Sequence, residues 1–356
     1  MNKKLVGLGV VSLAALTLAA CGSRTSNNSS SDSASSSSSV KAAIVTDIGG
    51  VDDRSFNQSA WEGLTAWGKE QGFEKGNGYD YFQSASESDY VTNLDSAVSG
   101  GYNLVFGIGF ALESAIAEVA PNNTDTHYVI VDSVVPDLDN VVSVGFADHQ
   151  ASYLAGVAAA KSTKSNHVGF IGGMEGVVID RFEAGFVAGA KSVNPDIKIT
   201  IDYAGSFGDA AKGQTLAAAQ YAAGADVIFH ASGGTGNGVF AAAKAENETR
   251  NEADKVWVIG VDRDQSAEGE YTSKDGKATN FVLASTIKEV GNAVKDIATK
   301  AVAGEFPGGT VVQFSLKDKG VELAETNLSE DASKAVAEAK QAIIDGKVEV
   351  PETPEN

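Results

Sequence analysis

The sequence predicts an α/β protein made of two similar units, and three observations lead there. From Lys41 onward, short β-branched runs alternate with alanine-rich helical stretches. That alternation argues for parallel sheets with helices on both faces. Several pieces of the first half recur in the same order in the second. The 356 residues are 43% hydrophobic and 21% charged, which is globular composition with apolar surface for more than one core.

In the first half, AAIVTD (42–47) reads as a strand and SFNQSAWEGLTAWGKEQG (55–72) as a helix with its glycine stop. Ser55 suits the N-cap, and Gln58 three residues on completes a capping box. NLVFGIG (103–109) reads as a strand, ALESAIAEVA (111–120) as a helix and HYVIVDS (127–133) as a strand. The second half gives strands at 167–173, 198–205, 225–231 and 256–262. Its helices fall at 181–193, 214–224 and 239–248.

The halves match in detail. Asp53-Arg54-Ser55-Phe56 opens one helix and Asp180-Arg181-Phe182 the corresponding one. GYNLVF (101–106) parallels GADVIF (224–229), and YVIVD (128–132) parallels VIGVD (258–262). Two such units make two Rossmann-like lobes. Open parallel sheets bind ligands beyond the carboxyl ends of their strands, so facing lobes would form a cleft there. Hinge closure would trap a ligand in it.

The strand-end residues define the candidate site. The loop from Asp47 to Phe56 is rich in glycine and carboxylate. Phe56 and Asn57 then occupy the first helical turn at the cleft mouth. Phe56 is either a staple against core or a stacking surface. With Asn57 beside it as donor and acceptor, the pair suits a ring. Phe207, in a Gly-Ser-Phe-Gly loop, either tucks against its own lobe or faces Phe56 from the opposite side. Asp132 and Asp262 end equivalent strands, as caps of turns or as acceptors for ligand hydroxyls or a base edge. Lys288 falls near a helix N-terminus, where the dipole opposes a cation. It is a solvated surface residue, or it has a partner in Asp262 or a ligand hydroxyl. The Gly233–Gly238 run has neither dinucleotide nor Walker spacing. Its glycines suit a tight turn or close backbone approach.

Other classes are disfavoured. The formal net charge of −20 opposes a nucleic-acid partner. One cysteine and four histidines make a zinc site improbable, and no cofactor is expected. No nucleophile elbow or metal-binding helix occurs, so an enzyme is not expected. Asp52 and Asp53 suit helix capping better than acid–base work.

The N-terminus reads as an address. Lys3 and Lys4 precede an apolar run from Leu5 to Ala20, short for a bilayer span and suited to a secretory signal. LAAC (18–21) resembles a lipobox, which would make Cys21 the lipidated residue. The following stretch, rich in serine, cannot bury enough surface to fold and reads as a linker.

Residues 42–320 resemble the basic membrane protein family of bacterial lipoproteins, specifically its PnrA-like purine-nucleoside receptors. The segments that carry this are DIGGVDDRSFNQSAWEG (47–63), RFEAGF (181–186), YAGSFGD (203–209), GGTG (233–236) and GVDRD (260–264). The acidic charge departs from the family's name. The resemblance implies a type I periplasmic-binding-protein fold, two Rossmann-like lobes with parallel sheets joined by a three-crossover hinge. Its implied division is a signal peptide at 1–20 and a lipidated, serine-rich linker at 21–40. An N-terminal lobe of 41–146 plus 286–305 and a C-terminal lobe of 147–285 plus 306–350 follow, then a frayed tail at 351–356. It implies the substrate-binding subunit of an ABC importer, monomeric, held by Cys21 at the outer face of the cell membrane and serving permease subunits. It places the purine between Phe56 and Phe207, and the base edge on Asn57 and Asp132. The ribose falls to Asp262, Gly234 and Lys288, and Asp47 lines the cleft. The alternatives are a sugar-type binding protein of the same fold or a surface adhesin.

Overall fold

The strand Ala42–Thr46 is buried at all five positions, as a strand covered on both faces must be. Alternate residues enter opposite cores: Ala42 and Ile44 join Leu64 and Trp67, while Ala43 and Val45 join Leu94 and Ile116. The computed structural model describes residues 40–355. The predicted leader, the Cys21 lipidation site and the linker up to residue 39 lie outside them.

The first lobe runs β1 (Ala42–Thr46), α1 (Phe56–Glu70), β2 (Glu74–Lys75), β3 (Gly78–Phe82), α2 (Tyr90–Ser99), β4 (Leu104–Ile108), α3 (Glu113–Val119), β5 (His127–Val131) and β6 (Val141–Phe146). The second runs α4 (Asp148–Ser162), β7 (His167–Gly172), α5 (Val177–Val193), β8 (Lys198–Tyr203), α6 (Ala210–Ala222), β9 (Val227–Ala231), α7 (Gly236–Glu248), β10 (Trp257–Gly260), β11 (Glu270–Thr272), β12 (Ala278–Asn280) and β13 (Val282–Lys288). The chain ends with α8 (Val290–Val302), β14 (Val311–Phe314), β15 (Val321–Glu325) and α9 (Glu330–Ile344).

The first sheet has the order β14-β6-β5-β4-β1-β3-β2 and the second β15-β13-β10-β9-β7-β8. All pairings within these two sheets are parallel except β13 with β15. The chain passes between lobes three times: from β6 to α4, from β13 to α8 (which packs on α1), and from β14 to β15. This is the two-lobed α/β architecture the sequence predicts. Helix α4 is buried on nearly every side because α5 and α9 both cover it, which explains its alanine-rich, unpatterned face.

Four details differ from expectation. Val311–Phe314 pairs with β6 in the first sheet, so part of 306–350 belongs to the first lobe; a strand-forming edge was open beside β6. Helix α5 begins at Val177 after Gly176, not at Asp180, whose N–H already donates to the Gly176 carbonyl. Ser55 makes no side-chain cap for α1. The tail, expected to fray, is tied to α5 where Arg181 Nε donates to Glu352 Oε2 at 3.0 Å.

Candidate functional site

The carboxyl ends of both sheets face one cavity. Asp47 follows β1, Asp132 follows β5, Asp262 follows β10, and Lys288 ends β13. Phe56 and Asn57 begin α1, and Phe207 stands in the loop between β8 and α6. All seven line the cavity. Gly234 is not among the lining residues; its neighbour Gly233 is. Gly234 instead backs the wall, where an added Cβ would lie 3.2 Å from the Phe207 carbonyl.

Asp132 and Asp262 both adopt left-handed backbone, with φ of 69° and 68°. Aspartate tolerates that conformation better than most residues. The same left-handed φ thus follows two strands that hold corresponding places in their sheets.

The turn into α1 is organised by Asp53. Its carboxylate accepts from the backbone N–H groups of Ser55 (2.8 Å), Asn57 (2.9 Å) and Gln58 (3.0 Å), and from Asn57 Nδ2 (2.9 Å). It therefore satisfies the free N–H groups that the Ser55–Gln58 box was expected to serve. Gln58 points along the helix and donates to Glu62. The Ser55 hydroxyl, not needed as a cap, donates across the cleft to Asp262 in the second lobe. Asn57 Nδ2 also donates to Asp47 Oδ1 at 2.8 Å, which fixes the amide and leaves Asn57 Oδ1 without a partner.

Lys288 is 3% exposed, and its Nζ lies 2.6 Å from Asp132 Oδ2 and 3.1 Å from Asp148 Oδ1. The expected side-chain partner was Asp262; that residue instead accepts from the Lys288 backbone N–H with its carbonyl, at 2.9 Å. The ammonium also sits 5.1 Å from the Phe56 ring centroid. Burial works to lower the Lys288 pKa, but Asp132, Asp148 and Asp262 outweigh it and hold the amine charged. Asp132 Oδ1 has no partner.

Four lining side chains are carboxylates, and Lys288 is the only cation among the lining residues. Burial pushes Asp47 up to about 6 and Asp262 up to about 7, the latter against the pull of Lys288. Burial raises Asp53 and Asp148 as well. Such a site repels anions and offers acceptors to neutral donors. Among the described residues, no group of three or more His, Cys, Asp or Glu is placed to hold a metal ion.

The walls are aromatic and aliphatic. Phe207 packs edge-on against Phe110 with centroids 5.9 Å apart. Phe182, Val178 and Ile179 of α5 and Phe110 also line the cavity. Sequence reading missed these as site residues, along with Asp53 and Asp148. Phe182 stands in the Asp180-Arg181-Phe182 motif that parallels the entry to α1, the one signal available. Asp148 lay at a lobe crossing with no local pattern to mark it.

The family of PnrA-like ABC transporter substrate-binding proteins matches residues 40–354. An ABC transporter nucleoside-binding protein BmpA from Lactococcus lactis subsp. cremoris is 58% identical over 99% of this chain and 99% of its own. A CD4+ T-cell-stimulating antigen from Listeria monocytogenes is 52% identical over 98% of each. Among solved structures, an ABC transporter solute-binding protein from Aeropyrum pernix superposes with a TM-score of 0.77. It is 25% identical, over 89% of this chain and 94% of that one. The Lactococcus and Aeropyrum proteins are named as binding proteins of ABC transporters, and the matching family is that of ABC transporter substrate-binding proteins.

Proposed function

We propose a function from one premise: the chain belongs to the PnrA-like family of ABC transporter substrate-binding proteins. In this reading it captures purine nucleosides (adenosine, guanosine, inosine) between its lobes and delivers them to permease subunits of an importer. It works as a monomer outside the cytoplasm, held to the membrane by lipid on Cys21.

One observation carries the ligand class. Asn57 Oδ1 and Asp132 Oδ1 are buried acceptors without partners, in a cavity walled by phenylalanines. A buried polar atom left unpaired costs about 1–3 kcal/mol, so the ligand that fits brings donors to both. A purine edge supplies N–H groups, and its flat faces suit Phe56 and Phe207. Asp262 and Lys288 suit ribose hydroxyls, with Gly233 bringing backbone close. The carboxylate excess disfavours nucleotides, whose phosphates would enter a negative cavity. The relative at 58% identity is named for nucleoside binding. Ligand contacts from both lobes would favour the closed state, as a population shift requires.

The test is thermal unfolding of the protein, refolded to strip ligand, against nucleosides, nucleoside monophosphates, free bases and monosaccharides. Binding to the native state alone stabilises it by about 2.7 kcal/mol at a hundredfold excess over Kd. Stabilisation by purine nucleosides, without an effect of monophosphates or sugars, supports the reading. A response to sugars alone moves the ligand to the sugar class. No response to any small molecule favours the adhesin alternative.

A further inference from the structure

The turn before α1 meets the second lobe at three consecutive residues. Asn237 Nδ2 donates to the Asp53 carbonyl at 3.3 Å, Gln265 Nε2 donates to the Arg54 carbonyl at 3.0 Å, and Ser55 donates to Asp262. Arg54 holds φ of 60°, a strained value for a residue with a Cβ, kept only where the surroundings over-determine it. Its guanidinium pairs at the surface with Glu268.

The Gln265 contact is the most constrained of these. Gln265 is 3% exposed and is not among the residues lining the cavity. Its Oε1 accepts from the Val261 N–H at 2.8 Å and faces His230 Nε2 at 3.1 Å. Gly260 makes room for it, since an added Cβ there would lie 2.6 Å from Oε1. A backbone N–H can only donate, so the amide cannot flip, and its NH2 must face Arg54. Burial holds His230 down at about 4, so the ring is neutral. With Nε2–H donating to Gln265, Nδ1 accepts from the Ser232 hydroxyl at 3.3 Å. Ser232 lines the cavity. A hydrogen-bond chain therefore runs from the cavity wall through His230 and Gln265 to the opposite lobe.

We propose that Gln265 is the latch of the closed state, a positioning residue that ties the second lobe to the Arg54 carbonyl and sets how slowly a trapped ligand leaves. When the lobes part, water satisfies both the amide and the carbonyl. When they close, Gln265 is 3% exposed and the Arg54 carbonyl is its amide's acceptor, so loss of that bond penalises the closed state selectively. The ligand used in the test rests on the function proposed above; the latch itself is a relationship between the lobes.

The experiment uses Gln265→Glu, which keeps the acceptor for Val261 and His230 and loses the donor when ionised. With inosine as probe at pH 8, the expected result is dissociation at least tenfold faster than wild type, with association within threefold. At pH 5 a protonated glutamate regains an O–H donor, so the ratio of variant to wild-type dissociation rates falls toward one. Arg54 and His230 touch position 265, Asp53 and Asp262 flank it through the same turn, and Glu268 pairs with Arg54. All are present in every variant, and Gln265→Met, which adds no charge beside them, reports their own pH dependence. Gln265→Met, with no donor at any pH, is the second variant and should dissociate fast at both pH values. Equal dissociation rates in all three proteins overturn the latch, as does equal recovery of the methionine variant at pH 5.

A ligand-free arm separates the latch from the ligand reading. Cys21→Ser removes the chain's single cysteine, and spin labels on Lys69→Cys in α1 and Lys244→Cys in α7 report the distance between lobes. The short-distance population of the otherwise wild-type protein should shrink in Gln265→Glu. Identical distributions overturn the proposal whether or not inosine binds; failure of inosine alone counts only against the nucleoside reading.

Discussion

Lys288 Nζ lies 2.6 Å from Asp132 Oδ2, and the two side chains are 3% and 6% exposed. Asp148 approaches the same ammonium from behind, outside the cavity lining. One cation thus serves two buried carboxylates on different elements, at the point where β13 gives way to α8. Removing it strands both carboxylates. Lys288→Met should cost about 3–5 kcal/mol of stability at pH 8, the usual penalty for breaking a buried pair. The cost should shrink at pH 5, where Asp148, whose carboxyl burial already pushes up, takes up a proton instead. Denaturant unfolding at both pH values checks this; an equal loss at the two would show that the lysine acts through packing alone.

The wild-type protein should itself lose stability as pH rises. Burial holds Asp47 at about 6 and Asp262 at about 7, above the unfolded value near 4. Between roughly pH 4 and 7 the folded state therefore binds more protons than the unfolded state. Stability then falls with increasing pH across that window. A shift the size of that at Asp47 corresponds to on the order of 3 kcal/mol. Thermal unfolding of ligand-free protein should give a higher midpoint at pH 5 than at pH 8. A midpoint that rises with pH would show these carboxylates to be ionised at no cost.

Ligand affinity should move the other way. A hydroxyl donates to an ionised Asp262 and not to the proton of a neutral one. Nucleoside binding therefore favours the ionised form and releases protons near pH 7. Between pH 8 and pH 5 the affinity should fall tenfold to a hundredfold, and calorimetry in buffers of different ionisation enthalpy should detect proton release. A pH-independent affinity would remove Asp262 from the ligand contacts.

The strand ends were legible because they are local. A β-branched run closing on aspartate marks both Asp132 and Asp262, and both residues take left-handed backbone at that strand end. The lysine's partners were not legible, since Asp132 is 156 positions from Lys288 and only the fold joins them. The capping pattern misled for a different reason. Ser55 and Gln58 have the right spacing, but a carboxylate two residues earlier reaches the same N–H groups and accepts more of them.

That competition is testable. Asp53→Ala removes three backbone acceptor contacts at the start of α1 and should cost about 1–2 kcal/mol, as loss of a helix cap does. Ser55→Ala removes no cap bond and should cost clearly less. It should instead free the Asp262 carboxylate and speed ligand release. A larger stability loss for Ser55→Ala than for Asp53→Ala would restore the serine as the cap.

Phe207 can be displaced without being changed. It lies over Gly173, where an added Cβ would fall 2.2 Å from Phe207 Cε1 and 2.3 Å from Cδ1. Gly173 does not have positive φ, so alanine strains the ring and not the backbone. Gly173→Ala should push the ring into the cavity and weaken purine nucleoside binding about tenfold, while the protein still unfolds cooperatively. Phe207→Ala should weaken binding by a similar factor through loss of the same face. Because both substitutions act through one ring, the double variant should bind no worse than Phe207→Ala alone, which is strong non-additivity. Additive losses would mean that Gly173 contributes to binding by a route that does not pass through Phe207.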